Sequence, residues 1–142
     1  MADLEPVIRF RKHGVDEKRR ALSQLYKEME TVERQKKVIE DQMEKEILMA
    51  RELNTIEADA YLGKYLEGAR KKVKALAISL KKMEARIETA QEDIREAFAE
   101  MKKVEITQEN RDKREEDALR KKEDKDFDDI GLQGFRRGKE DL

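Results

Sequence analysis

From Leu62 to Val104 one face of the sequence is apolar without a gap. Leu62, Leu66, Ala69, Val73, Leu76, Leu80, Met83, Ile87, Ala90, Ile94, Ala97, Met101 and Val104 follow one another at alternating steps of four and three residues. Only 37% of the 142 residues are apolar and 47% are charged, so thirteen consecutive hits in one phase are not a by-product of composition. A repeat of this kind, sustained over six heptads, marks a helix that buries a narrow stripe against another helix. Average domains carry about 45–50% apolar and about 25% charged residues, so this chain is too poor in core material for a β-sandwich or an α/β fold. Composition alone leaves a disordered polyampholyte or long helices, and the seam selects the helices. Its next positions are Gln108, Arg111 and Glu115, so the apolar stripe ends at Val104.

A partner for that stripe lies upstream. Gly and Pro are absent from Val15 to Leu62 and again from Ala69 to Ile130; they cost about 1 and about 3 kcal/mol in a helix interior, so both stretches read as helices. Leu22, Leu25, Met29, Val32, Ile39, Met43, Ala50 and Leu53 continue the pattern in the first stretch, with Ile8 and Val15 in register upstream. Lys36 and Glu46 interrupt it. Passing from Met43 to Ile47 instead gives an eleven-residue interval that would locally unwind a left-handed supercoil. The interval with Asn54, Thr55, Asp59, Gly63 and Gly68 has turn and cap chemistry. Folding there pairs residues whose numbers sum to about 115, which sets Val104 near Arg11. The two seams then begin and end together, as in an intramolecular antiparallel hairpin, with paired arms of roughly 65–75 Å.

The expected fold is therefore all-α, a two-helix antiparallel coiled-coil hairpin with a charged helical extension and a flexible C-terminal tail. Residues 1–126 form the hairpin, with helix one at about 5–54, a turn at about 55–60 and helix two at about 61–125; residues 127–142 form the tail. Between Glu109 and Asp126, 15 of 18 residues are charged with both signs mixed, a pattern for solvated helix. The tail contains Gly131, Gly134 and Gly138, and is expected to be disordered alone.

Several function classes fall away. A net charge of −1 leaves no basic excess to neutralise phosphates, against a dedicated nucleic-acid binder. No Cys is present, which removes disulfides, thiolate nucleophiles and Cys-based zinc sites and suits the cytosol. No apolar run approaches the ~20 residues of a membrane span, so direct membrane insertion is not expected. Met1-Ala2-Asp3-Leu4-Glu5 lacks a signal-peptide pattern. The one His, His13, has neither a triad nor a metal partner in its segment, and Ser23 and Ser79 lie inside helical stretches. No Gly-rich phosphate loop occurs. The reading is a non-enzyme with no catalytic residue, cofactor or metal site.

Two surfaces remain for partners. Around the turn, Leu48 and Tyr61 fall on outward heptad positions, Ile47, Met49 and Tyr65 on flanking ones, and Ile56 in the turn itself. These form either an exposed docking tip or local packing of a short loop. At the other end, Arg9, Arg11, Lys12, Lys18, Arg19 and Arg20 face only Asp16 and Glu17 as local acids. They form either a docking surface for an acidic partner or a solvated helix face. Phe127-Asp128-Asp129-Ile130-Gly131-Leu132 reads equally as a short binding motif or a frayed end.

Four segments in order carry a family resemblance: Val15-Asp16-Glu17-Lys18-Arg19-Arg20 after an arm beginning Ile8-Arg9, Tyr61 to Leu76, Glu96-Ala97-Phe98-Ala99-Glu100-Met101-Lys102-Lys103-Val104-Glu105, and Asp128-Asp129-Ile130-Gly131. Together they make the chain similar to the flagellar export protein FliJ family of the bacterial type III export apparatus. The resemblance implies a cytoplasmic antiparallel hairpin, peripherally associated with the membrane-bound export apparatus; the matching ends of the two seams add the expectation of a monomeric hairpin when free. The resemblance further implies a stalk-like coupler whose end bearing both termini enters the export ATPase hexamer. The hairpin region of such proteins contacts the cytoplasmic domain of the export-gate membrane protein, and they also handle export chaperones. On that reading Arg9, Arg11, Lys12, Lys18, Arg19 and Arg20 face the ATPase, while Leu48, Ile56, Tyr61 and Tyr65 face the gate. A generic coiled-coil scaffold, or an injectisome stalk protein of the same shape, would have the same layout.

Overall fold

A computed structural model describes residues 3–140. The chain forms two helices, α1 (Glu5–Leu53) and α2 (Ile56–Glu140), and no strand among the described residues. All thirteen seam positions of α2 are buried or half-buried, and the charged residues between them are almost all exposed. Leu66, Ala69, Ile87 and Met101 are buried in α2, as are Val15 and Ala50 in α1. The helices pack antiparallel as two compact units. One is His13–Ala97; the other combines the stretch before His13 with that after Ala97.

Within the His13–Ala97 unit, Leu22, Leu25, Met29, Val32, Ile39 and Met43 are half-buried at the positions that the spacing predicts. Gln91 donates through Nε2 to the Tyr26 hydroxyl at 2.8 Å, close to the pairing that the turn position predicts. Lys36 and Glu46, which interrupt the apolar pattern, nevertheless hold its regular positions and are half-buried. Lys36 carries its ammonium to Glu40 at 3.5 Å, as a long stem lying along apolar surface allows. Glu46 accepts from Gln42 Nε2 at 3.2 Å. Ile47 is half-buried beside Glu46, so it supplements the regular step.

In the other unit, Leu4 and Ile8 are half-buried, Met101 is buried and Val104 half-buried. The Leu4 N–H, unsatisfied by the helix itself, donates to Gln108 Oε1 at 3.0 Å. Asp3 Oδ1 accepts the Glu5 N–H at 3.0 Å, and Pro6 falls in the first turn, where a missing donor costs nothing.

The turn is shorter than the expected 55–60. Asn54 takes a left-handed backbone with φ 47°, and its N–H reaches the Ala50 carbonyl at 3.0 Å. Thr55 then caps α2, its Oγ1 accepting the Ala58 N–H at 3.1 Å. Two adjacent residues thus close one helix and open the next, and Glu57 and Asp59 in the first turn of α2 suit its dipole. Ile56 is accordingly the first residue of α2 rather than a turn residue, and Gly63 and Gly68 lie inside the helix. Leu53, expected in the seam, is 64% exposed because it is the last residue before the reversal.

The tail also differs from expectation. Residues 127–140 continue α2 as helix, while 141 and 142 lie outside the described residues. A helix that is already propagating adds residues without a new nucleation cost, and no Pro stops it. Phe127, Ile130, Leu132 and Phe135 on this stretch are all exposed.

Two substitutions near the turn have opposite expected signs. A Cβ on Gly63 meets nothing within 4 Å, so Gly63→Ala raises stability by about 0.5–1 kcal/mol. Thr55→Ala removes the cap and lowers stability by about 0.5–2 kcal/mol. Urea unfolding followed by circular dichroism reads both; equal signs contradict the turn described.

Candidate partner-binding surfaces

Where α1 gives way to α2, the seam has used its apolar residues and others remain. Leu48, Met49, Leu53, Ile56 and Tyr61 are each more than half exposed, Ile56 reaching 85%. The reversal at Asn54–Thr55 puts these residues on the last turns of α1 and the first of α2. Met49, Leu53 and Tyr61 line a shallow groove with Ala50, Thr55 and Ala58. Of the four tip residues singled out in the sequence, Leu48, Ile56 and Tyr61 are exposed and Tyr65 is half-buried. Leu53 was missed because its heptad phase assigns it to the seam; its place directly before a cap-forming Asn-Thr is the signal that reassigns it.

Tyr61 and Tyr65 stack with centroids 6.3 Å apart and planes inclined by 21°. Partial desolvation is the main cause that raises the Tyr65 phenol above its ordinary 10.0, with the Glu46 carboxylate and then Tyr61 adding to it. Glu46, the charged interruption of the α1 seam, thus has a local electrostatic effect on the tip.

The six basic residues lie on α1 in two groups, at 9–12 and 18–20, and all are exposed. Arg9, Arg11 and Lys12 belong to one compact unit and Lys18, Arg19 and Arg20 to the other. Arg19 lies 3.9 Å from Asp16, and Arg20 donates to Glu17 at 2.8 Å. Arg11 lies close enough to Glu100 to help lower its carboxyl pKa, an effect led by the hydrogen bond from Lys103 at 3.0 Å. Local carboxylates therefore offset part of the positive charge at Arg11, Arg19 and Arg20. The six do not share one face, since Arg9 and Arg11 alone are about 160° apart around the helix.

His13 is exposed, with Glu17 at 3.8 Å. Among the described residues no cluster of His, Asp and Glu could hold a metal ion. The surface depressions are open grooves between helices, lined by mixed apolar and long charged side chains. Such an arrangement offers contact surface.

One comparison decides the family. A family profile described as "Flagellar FliJ protein" matches residues 1–140. The chain belongs to the FliJ family. It is thus a component of flagellar type III protein export, as the four ordered sequence segments imply. Searches of the curated proteins and of the solved structures each found no match. The FliJ match spans α1, the turn and α2, so both candidate surfaces lie inside the matched region.

The tip chemistry of this FliJ-family protein has a direct titration test. Tyr65 holds its proton more tightly folded than unfolded, so its contribution to stability is complete below the ordinary tyrosine pKa. It is lost as pH rises through the raised value. In a tyrosine absorbance titration, the component removed by Tyr65→Phe ionises above the ordinary value, and Glu46→Gln moves it down. A Tyr65 that titrates at the ordinary value, or ignores Glu46→Gln, contradicts the geometry.

Proposed function

We propose that this chain is a non-enzymatic, stalk-like coupler between the flagellar export ATPase ring and the export gate, and a handler of export chaperones. The observation that carries this reading is the family match over residues 1–140. The resemblance supplies the partners, and the surfaces supply their candidate sites. The stretch with Arg9, Arg11, Lys12, Lys18, Arg19 and Arg20 is the ATPase-facing surface, with Arg9 and Lys12 at its centre because carboxylates stand beside Arg11, Arg19 and Arg20. The tip formed by Leu48, Ile56, Tyr61 and Tyr65, joined by Leu53, is the gate-facing surface. Leu48, Leu53, Ile56 and Tyr61 are exposed and Tyr65 is half-buried in the free chain, and all five would be covered in the complex.

The physical character of the surfaces suits transient contact. Exposed ion pairs such as Arg20–Glu17 and Arg95–Glu92 stabilise by about 0.2–0.5 kcal/mol each, so a partner that replaces them meets little resistance. Contacts through exposed charges weaken as salt rises, which suits a component that leaves one machine for another. Work at the cytoplasmic face, peripheral to the membrane-bound apparatus, agrees with the helices described, none of which is long and apolar enough to cross a membrane.

The test is ATP turnover and ring assembly of the cognate export ATPase, with and without the FliJ-family protein. The reading expects stimulation of both. It expects Arg9→Glu with Lys12→Glu to weaken the ATPase effect about tenfold or more, or about 1.4 kcal/mol. Tyr61→Ala with Tyr65→Ala should keep helicity and ATPase stimulation while losing binding to the cytoplasmic domain of the gate. No effect on turnover or assembly, with normal motility of a deletion strain, contradicts the coupler reading. Unchanged gate binding refutes the tip assignment.

A further inference from the structure

A second feature of the His13–Ala97 unit begins at Tyr65, beside the tip, and runs away from the turn. Two depressions that share Val38, Ile39 and Lys72 run together along one side of the α1–α2 pair. Their floor is apolar, with Val38, Ile39, Ala69, Ala75 and Leu76; Val38 is 67% exposed and adds a large apolar surface that no part of its own unit covers. Gly68 and Ala75 keep the α2 wall low, which lets a third helix approach closely. The charged residues that line the groove are Arg34, Lys64 and Lys72, with no carboxylate among them. Arg34 is held at the rim by donating to Thr31 Oγ1 at 3.4 Å. A groove with a greasy floor and basic walls fits a helix with apolar residues on one face and acids flanking them.

The protein itself carries such a face. After Arg111 every described side chain of α2 is exposed. There Leu119 and Ile130 stand on the same side of the helix, three turns apart, with Phe127 beside them; they are 57%, 67% and 77% exposed. Glu123 and Asp126 fall on that same side, within about 40° of Leu119, and Lys122 stands at its edge, about 60° away. At about 1.5 Å per residue the stretch from 119 to 130 is about 17 Å long, and the α2 wall of the groove from 64 to 76 is about 18 Å. The apolar face and the length correspond, and the acids nearest Leu119 on that face are opposite in sign to the charges of the groove.

We infer that the groove at Val38, Ile39, Ala75 and Leu76 binds the 119–130 face of a second copy of this protein. The apolar residues of one copy cover the floor of the other, and Glu123 and Asp126 meet Arg34, Lys64 and Lys72. The contact is heterologous, since groove and guest are different surfaces. Its size is that of a short helix, so it is weak and populated only at high concentration, where it hides the groove. It complements the monomer expected of the free protein at low concentration.

Sedimentation velocity of the full-length protein over rising concentration tests this. The expected result is a weight-average sedimentation coefficient that rises with concentration and falls back as salt is raised. Two charge-reversal variants separate the two surfaces. The groove variant carries Arg34→Glu with Lys72→Glu, and the guest-face variant carries Glu123→Lys with Asp126→Lys. All four positions are exposed or on the rim, and circular dichroism verifies that helicity is kept. Each variant alone should associate at least about tenfold more weakly than the parent. Mixing the two should restore association, because the unaltered acidic face of the groove variant meets the intact groove of the guest-face variant. A protein that stays monomeric at every concentration overturns the proposal. So do variants that self-associate like the parent, or a mixture no more associated than its components. Association that ignores salt and both charge reversals but is lost in Val38→Asp overturns the charge pairing and the guest with it.

Discussion

The thirteen apolar side chains on one face of α2 need a cover, and α1 supplies it. Every other feature follows from how far that cover extends. Where α1 has apolar residues in phase, the seam positions of α2 are buried or half-buried. Where α1 begins, the backbone N–H of Leu4 finds Gln108, and the seam passes from apolar to polar side chains. Burial is narrow: the described residues include few that are fully buried and no buried polar side chain without a partner. With so thin a core, each seam contact contributes a large share of the modest stability such a fold has. The exposed i,i+3 and i,i+4 ion pairs on the outer faces support the helices locally but cannot replace the seam.

The same constraint decides where partners can bind. A two-helix seam covers one stripe of each helix and leaves other apolar residues in water. At the turn these are Leu48, Met49, Leu53, Ile56 and Tyr61; in the middle of the hairpin Val38; on the far part of α2 Leu119, Phe127 and Ile130. None contributes to a closed core, so each is available for contact with another molecule. Membership of the FliJ family gives the chain as a whole a setting in flagellar export.

Periodicity made the seam legible, because a 3.5-residue repeat has one physical cause and little else produces it. All thirteen α2 positions were readable from the spacing, as was the pairing that brings Tyr26 to Gln91. Local punctuation was harder. Gly63 and Gly68 suggested a long turn, but a left-handed Asn54 and a capping Thr55 complete the reversal in two residues, and the helix absorbs the glycines. By residue type Lys36 and Glu46 read as breaks, whereas long side chains can hold a seam position and carry their charge outward. The helical course of 127–140 was hidden by composition, since three glycines and scattered apolar residues read as tail. The tip was legible in part: heptad phase exposed Leu48 and Tyr61 but misassigned Leu53. The groove at Val38 was not, because it depends on which side of Ile39 the opposite helix leaves open. The basic stretch could be read as composition, but its offsetting carboxylates include Glu100 from the other helix, which only the folded pairing brings near.

The central claim is that one chain supplies both sides of its own seam. Cysteines at seam positions on opposite helices test it most directly, with Leu22→Cys and Ile94→Cys in a protein that has no other Cys. Under oxidation at low concentration, the account predicts a disulfide within one molecule, seen as a mobility shift of a species that still has the mass of one chain, and lost on reduction. A crosslink that forms only between molecules would contradict it.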